Sequence, residues 1–152
     1  MKSGKKDPIP PPIRFLDDVA LADVAFEVRG ATLEKLFENA ARAFLEISVE
    51  PAGIRKAQEK ALKLRHEDPG RLLFKFLNEL VFLKDSERFL AAEALVSVKE
   101  GPGGYDLEAR LAGERIDESR HKTRSDVKAV TMHLFEVAKV KKGWVARVVL
   151  DI

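Results

Sequence analysis

The sequence predicts an α+β fold: mostly antiparallel β-sheet (one sheet or more) with two α-helices, in the order β-α-β-α-β-β-β-β. Two patterns carry this expectation. Helical periodicity of apolar residues appears in two segments only, both in the first part of the chain. The strand-like runs that follow succeed one another with turn signals and no helix between them, which makes hairpins rather than parallel crossovers. At 152 residues, 45% hydrophobic and 34% charged, the chain has the length and composition for one sizeable core.

The elements follow in order. Residues 1–12, MKSGKKDPIPPP, read as a disordered Pro/Lys-rich tail, and residues 13–152 as a single domain. The first strand is expected from Ala22 to Arg29, because Ala22, Val24, Phe26 and Val28 alternate with Asp23, Ala25, Glu27 and Arg29. Thr32 can cap a helix in which Leu33, Leu36, Phe37, Ala40, Ala41, Phe44 and Leu45 form one apolar stripe. That helix ends before Pro51 and Gly53. Gln58 to Arg65 reads as an edge strand guarded by Lys60 and Lys63.

The second helix starts at Asp68-Pro69, a cap followed by proline at the first helical position, and runs to about Asp85. Its polar stripe is narrow (Arg71, Lys75, Asn78, Glu79), which places it in the middle of the core. Phe89 to Lys99 and Tyr105 to Leu111 form a hairpin across Gly101-Pro102-Gly103-Gly104. Val127 to Val137 and Trp144 to Ile152 form another around Lys141-Lys142-Gly143. Both parities of the strand DVKAVTMH are largely apolar, so it reads as a central strand covered on both faces. The charged stretch 113–126 between the hairpins is a solvated loop or a docking surface.

Composition excludes several function classes. There is no cysteine, hence no disulfide, thiolate metal site or cysteine nucleophile. Three histidines, His66, His121 and His133, are too few for a His-rich metal site, and His133 reads as a partly buried histidine rather than a ligand. A net charge of +2 is no signature of a nucleic-acid coat. Neither a secretory signal nor a membrane-length apolar run is visible, so the expected location is the cytoplasm. Nucleophile elbow, phosphate loop and zinc-protease motifs are also missing.

What remains is acidic residues in unusual places. Asp23 and Asp151 each sit inside a strand, where aspartate is disfavoured. Such a carboxylate is solvated, paired with a base or bound to a cation; from the residues alone the solvated form is the simplest. A divalent cation prefers oxygen ligands, and a terminal carboxylate on Ile152 beside Asp151 is expected to supply a third.

Taken together, ADVAFEVRGATLEKLFENAARAF, LLFKFLNELVFLKD, DVKAVTMH and GWVARVVLDI resemble, in this order and spacing, the archease family. The resemblance spans residues 13–152. It implies a non-catalytic accessory protein of the RtcB-type RNA-splicing ligase, promoting guanylylation and multiple turnover in tRNA splicing and repair. It also implies a metal site, for Ca²⁺ or Mg²⁺, at Asp23, Asp151 and Ile152. Lys128 of Val-Lys-Ala and Asp126 two residues before it become partner-binding candidates. Two departures stand out. The family commonly has His-Thr-Ala-Asp where this chain has Ala20-Leu21-Ala22-Asp23, with Asp17 and Asp18 as the nearest substitutes, and Met132 replaces the usual tyrosine before His133.

The alternatives are three: a chaperone or modulator of a tRNA-modifying methyltransferase, a direct RNA-binding module, and a small metal-dependent hydrolase using Asp23 and Asp151. The RNA reading leans on Lys2, Lys5, Lys6, Arg115, Arg120, Lys122 and Arg124. The hydrolase reading lacks a general base.

Overall fold

The computed structural model describes residues 10–16 and 23–152. A short strand, β1 (Ile13–Leu16), comes first and was not expected; β2 (Asp23–Gly30) and α1 (Leu33–Ser48) follow. Then come β3 (Gln58–His66), α2 (Pro69–Glu87) and the strands β4 (Phe89–Gly101), β5 (Gly104–Arg115), β6 (Ala129–Val140) and β7 (Gly143–Asp151). From β2 onward the expected order holds. Residues 1–9 of the expected tail and residues 17–22 lie outside the described residues, and with them Lys2, Lys5, Lys6, Asp17, Asp18 and the Ala20–Ala22 departure.

The strands divide between two sheets. One has the order β1-β2-β7-β6 and the other β3-β5-β4, and every pairing is antiparallel. Both helices touch both sheets: α1 packs on β2 and β4, α2 on β6, β3 and β4. The core therefore forms around the helices, with Phe37 and Phe76 meeting at 5.6 Å between ring centroids.

Local chemistry explains the helix limits. Thr32 Oγ1 accepts the Lys35 N–H at 3.1 Å, and Asp68 Oδ2 accepts the Arg71 N–H at 2.8 Å. Each satisfies one donor left over in a first helical turn. At its other end α2 stops on Arg88, which takes a left-handed conformation with φ 53°. The apolar stripe of α1 is buried, as its periodicity predicts. Its polar side is also employed: Glu38 accepts the Val96 N–H at 2.9 Å and Glu34 the Val98 N–H at 3.3 Å. β4 is an edge strand, so these carboxylates cover backbone donors that would otherwise face solvent.

One expectation fails. The strand of DVKAVTMH is not central; β6 lies at the edge of its sheet, and β7 occupies the inner place. Its register against β7 shifts between Thr131 and Glu136, and Leu134 within that bulge has φ 57°. There β6 advances five residues against two of β7, and an odd number of extra residues swaps the faces on either side. Two apolar parities thus imitate two covered faces, whereas Met132, His133 and Leu134 are exposed. His133 is accordingly not the partly buried histidine that its setting predicts.

Candidate metal and partner-binding site

Aspartates 23 and 151, far apart in sequence, are direct partners across the β2–β7 ladder. Opposite residues of an antiparallel pair point to the same side of the sheet, with Cβ atoms about 4.5–5.5 Å apart. Both side chains are half-buried. The two strands are held in register by seven further pairs, from Val24↔Leu150 to Gly30↔Trp144. Their apolar residues Phe26, Val28, Val148 and Leu150 are fully buried, so core packing forbids the slip that would separate the acids.

Ile152 follows directly, and its side chain packs against the core. That anchors the main-chain oxygen of Ile152 beside Asp151. On the other flank of β7, Asp151 pairs with Ala129 of β6, and the Lys128 N–H donates to the Asp151 carbonyl at 2.8 Å. Asp23, Asp151, Ile152 and Lys128 thus meet at one end of the four-stranded sheet.

Like charges set opposite each other across a ladder are destabilising. Among the described residues, no lysine, arginine or histidine lies within 4.0 Å of either carboxylate. Hard oxygens converging without a cationic partner fit a divalent ion better than a soft one. The set is sparse, however. Among the described residues no group of three or more Asp, Glu, His or Cys side chains is placed to hold a metal. At this end the main chain of Ile152, next to Asp151, offers a further oxygen.

Asp126 is used differently. Its carboxylate accepts from Lys84 Nζ at 2.6 Å, and Asp85 accepts from the same ammonium at 2.6 Å. Lys84, near the end of α2, has only 6% of its side chain exposed. Burial alone would lower its pKa, but the two carboxylates outweigh burial and hold it above the ordinary lysine value. This buried lysine was missed from the sequence. It continues the apolar i, i+4 row of Phe76 and Leu80, and a lysine on that row was the available signal.

The charged stretch 113–126 also behaves unlike a freely solvated loop. Glu114, with 10% of its side chain exposed, takes a hydrogen bond from Arg120, the Arg55 N–H at 2.6 Å, and His121 Nε2 at 3.0 Å. The Arg120 guanidinium first and the Arg55 N–H second hold its carboxyl down to about 2. The Asp117 N–H donates to His121 Nδ1 at 2.9 Å, so Nδ1 carries no proton and Nε2–H is the donor to Glu114. Arg124 bonds the Glu46 carbonyl and the Glu50 carboxylate, stapling the stretch to the end of α1. Arg120 and Arg124, two cations of the RNA-binding reading, are thereby engaged inside the chain.

Comparison with known proteins identifies the family of the chain. The model of the archease protein family (MTH1598/TM1083) matches residues 14–152. The protein archease of Archaeoglobus fulgidus is 42% identical over 139 residues, covering 91% of this chain and 98% of that one.

The chain belongs to the archease family.

Protein archease of Methanothermobacter thermautotrophicus is 37% identical over 131 residues, 86% of this chain and 93% of that protein. The solution structure of Methanobacterium thermoautotrophicum protein 1598 superposes with a TM-score of 0.82 at 35% identity, covering 93% of this chain and 99% of that chain. The crystal structure of a Thermotoga maritima archease, described as a "possible chaperone", matches with a TM-score of 0.62 at 23% identity, covering 97% of this chain and 98% of that chain, and speaks to the fold. Met132 is an exposed side chain on the bulge of β6. No helix among the described residues is long and apolar enough to cross a membrane.

Proposed function

We propose that this archease is an accessory protein of an RtcB-type RNA-splicing ligase, promoting its guanylylation by GTP and its multiple turnover in tRNA splicing and repair. The reading rests on family membership and on one observation of the structure, the register that sets Asp23 opposite Asp151. In this reading Asp23, Asp151 and a main-chain oxygen of Ile152 hold a divalent cation, Ca²⁺ or Mg²⁺. A bound cation would neutralise the pair and offer open coordination positions to oxygen ligands of a partner.

The chain's own residues supply the rest. Two hydrogen-bonded strands fix the carboxylates before any partner arrives, so little ordering remains for binding. Lys128 is tied to Asp151 through its backbone while its side chain stays exposed and open to a partner. Asp126, clamped by Lys84, fixes the approach of the chain into that position. Lys128 and Asp126 thus serve as partner contacts beside the carboxylates. The covalent chemistry is assigned to the ligase.

The test is a guanylylation assay with the cognate ligase. Asp23→Ala and Asp151→Ala are expected to abolish stimulation while circular dichroism shows a folded chain. Full stimulation by both variants overturns the carboxylate role. A second reading, chaperone or modulator of a tRNA-modifying methyltransferase, draws on the exposed apolar side chains Phe82, Met132 and Leu134. It requires that the chain keep such an enzyme soluble on heating, and that Met132→Ser with Leu134→Ser abolish this.

A further inference from the structure

The opposite end of strands β2 and β7 is chemically the reverse of the acidic end. Strand β2 is eight residues long, so Gly30 stands about 24 Å from Asp23 along the extended chain. There a hollow of about 630 Å³ is lined by Arg29, Lys35, Lys141, Lys142 and Trp144, together with Pro10, Pro12 and Val140, and among the described residues no carboxylate lines it. Its volume is in the range of sites for small organic ligands.

Each cation arrives for a structural reason. Lys141 and Lys142 form the turn between β6 and β7, which Gly143 closes with φ 137°. A Cβ on Gly143 would run into the Gly30 carbonyl, so the turn rests directly on the link between β2 and α1. That contact brings both lysines over Arg29, the last side chain of β2. Lys35 enters from the first turns of α1, whose N-terminal end adds positive potential.

These charges are weakly compensated. The Nε of Arg29 is buried with no hydrogen-bond partner, and its Nη2 is 3.7 Å from Glu27. Among the described residues neither Lys141 nor Lys142 has an ion-pair partner, whereas Lys35 has only an exposed contact with Glu38 at 3.3 Å. Trp144 supplies the aromatic wall, and the Lys139 ammonium stands 5.8 Å from its ring centroid.

A weakly compensated cluster of four cations selects a multiply charged anion. A tryptophan wall beside them selects a flat group attached to that anion, as in base stacking. We infer that this hollow binds a nucleotide unit, with its phosphates on Arg29, Lys35, Lys141 and Lys142 and its base against Trp144. The unit comes either from a free nucleotide or from a single RNA strand. This site is independent of the carboxylate end and stands whether or not the ligase reading does.

Trp144 is the single tryptophan of the chain, so its fluorescence reports the site without labelling. The full chain is titrated with ATP, with a ten-nucleotide oligoadenylate and with inorganic triphosphate, correcting for absorption. Saturable quenching by ATP or the oligomer is expected, with triphosphate alone at least about fivefold weaker for want of stacking. Whichever of the first two binds more tightly identifies the source. Lys141→Ala with Lys142→Ala, a change confined to an exposed turn, is expected to weaken oligomer binding by about tenfold at 0.1 M salt. The log–log salt slope should fall by about 1.4, at ~0.7 for each phosphate that is no longer neutralised. Trp144→Phe, followed by calorimetry, keeps a smaller stacking surface and is expected to bind less tightly than wild type. The inference is overturned if neither nucleotide quenches, if triphosphate matches both, or if the double lysine variant binds as tightly as wild type.

Discussion

Replacing Asp151 with asparagine removes one of two negative charges that the β2–β7 register sets opposite each other. At about 5 Å in a water-like dielectric the repulsion is close to 0.8 kcal/mol. Measured cross-strand effects fall in the same range, about 0.2–1 kcal/mol. Without metal, Asp151→Asn is therefore expected to stabilise the chain by about 0.5–1 kcal/mol. At about 2–4 °C per kcal/mol for a chain of this size, that is a rise in Tm of about 1–4 °C. With Ca²⁺ or Mg²⁺ at a hundred times its Kd, the wild type gains about 2.7 kcal/mol, because only the folded chain assembles the site. The variant forfeits most of that gain. One substitution thus stabilises in chelator and destabilises in metal, a reversal that a merely structural role for Asp151 does not produce. Thermal melts of wild type and variant, in EDTA and in each ion, measure all four values. A wild-type Tm that neither ion moves refutes the metal site. A variant less stable than wild type in EDTA refutes the reasoning about unrelieved repulsion.

Further outcomes follow from other contacts. Glu114 has its carboxyl lowered to about 2 from an ordinary 4.5, and Asp117 is lowered too, chiefly by hydrogen bonds from Ser119. A depressed carboxyl stabilises the fold above its unfolded pKa and loses that contribution as pH falls through the folded one. Acid unfolding followed by circular dichroism should therefore show stability falling from about pH 4.5 toward 2, and Glu114→Gln should flatten that decline. Lys84→Met is expected to change stability by under about 1 kcal/mol, because an apolar side chain suits the buried place and the largely exposed Asp85 and Asp126 return to water. Asp85→Asn with Asp126→Asn, which strands the ammonium, should cost about 1–3 kcal/mol in urea denaturation. Phe76→Ala empties the centre of α2's buried face and should cost about 3–5 kcal/mol by the same measurement. Lys128→Ala should lower stimulation of the ligase and leave the Tm unchanged, since its side chain is exposed.

What the sequence reveals depends on whether a feature is local. Both helix starts were legible, because Thr32 and Asp68-Pro69 act within one turn. The hairpins were legible for the same reason, through Pro102-Gly103 and Lys141-Lys142. Which strand is central is not local. β6 lies at an edge, yet a bulge that exchanges its faces near Leu134 gives it two apolar parities, and periodicity cannot distinguish that from two-sided burial. Nor did β1 announce itself: four residues after a proline run hold their place by pairing with β2, not by their own pattern.

The acidic pair falls between these cases. Aspartate inside an apolar strand is a local anomaly, visible twice, and anomalies of that kind persist where the rest of the strand over-determines the structure. That the two anomalies face each other was expected only through the family resemblance; the ladder places them so, by the alternating pattern of β2 and β7 and the burial of Phe26, Val28, Val148 and Leu150. The same ladder fixes its far end. Pairing Asp23 with Asp151 carries Gly30 to Trp144, so the register that gathers the carboxylates also seats the lysine turn on β2. A slip of one residue by either strand would turn its own aspartate to the other face, away from its partner, and lift Gly143 off Gly30. The acidic end and the basic end are therefore two consequences of one alignment, and a substitution that loosens the core of β7 is expected to disturb both together.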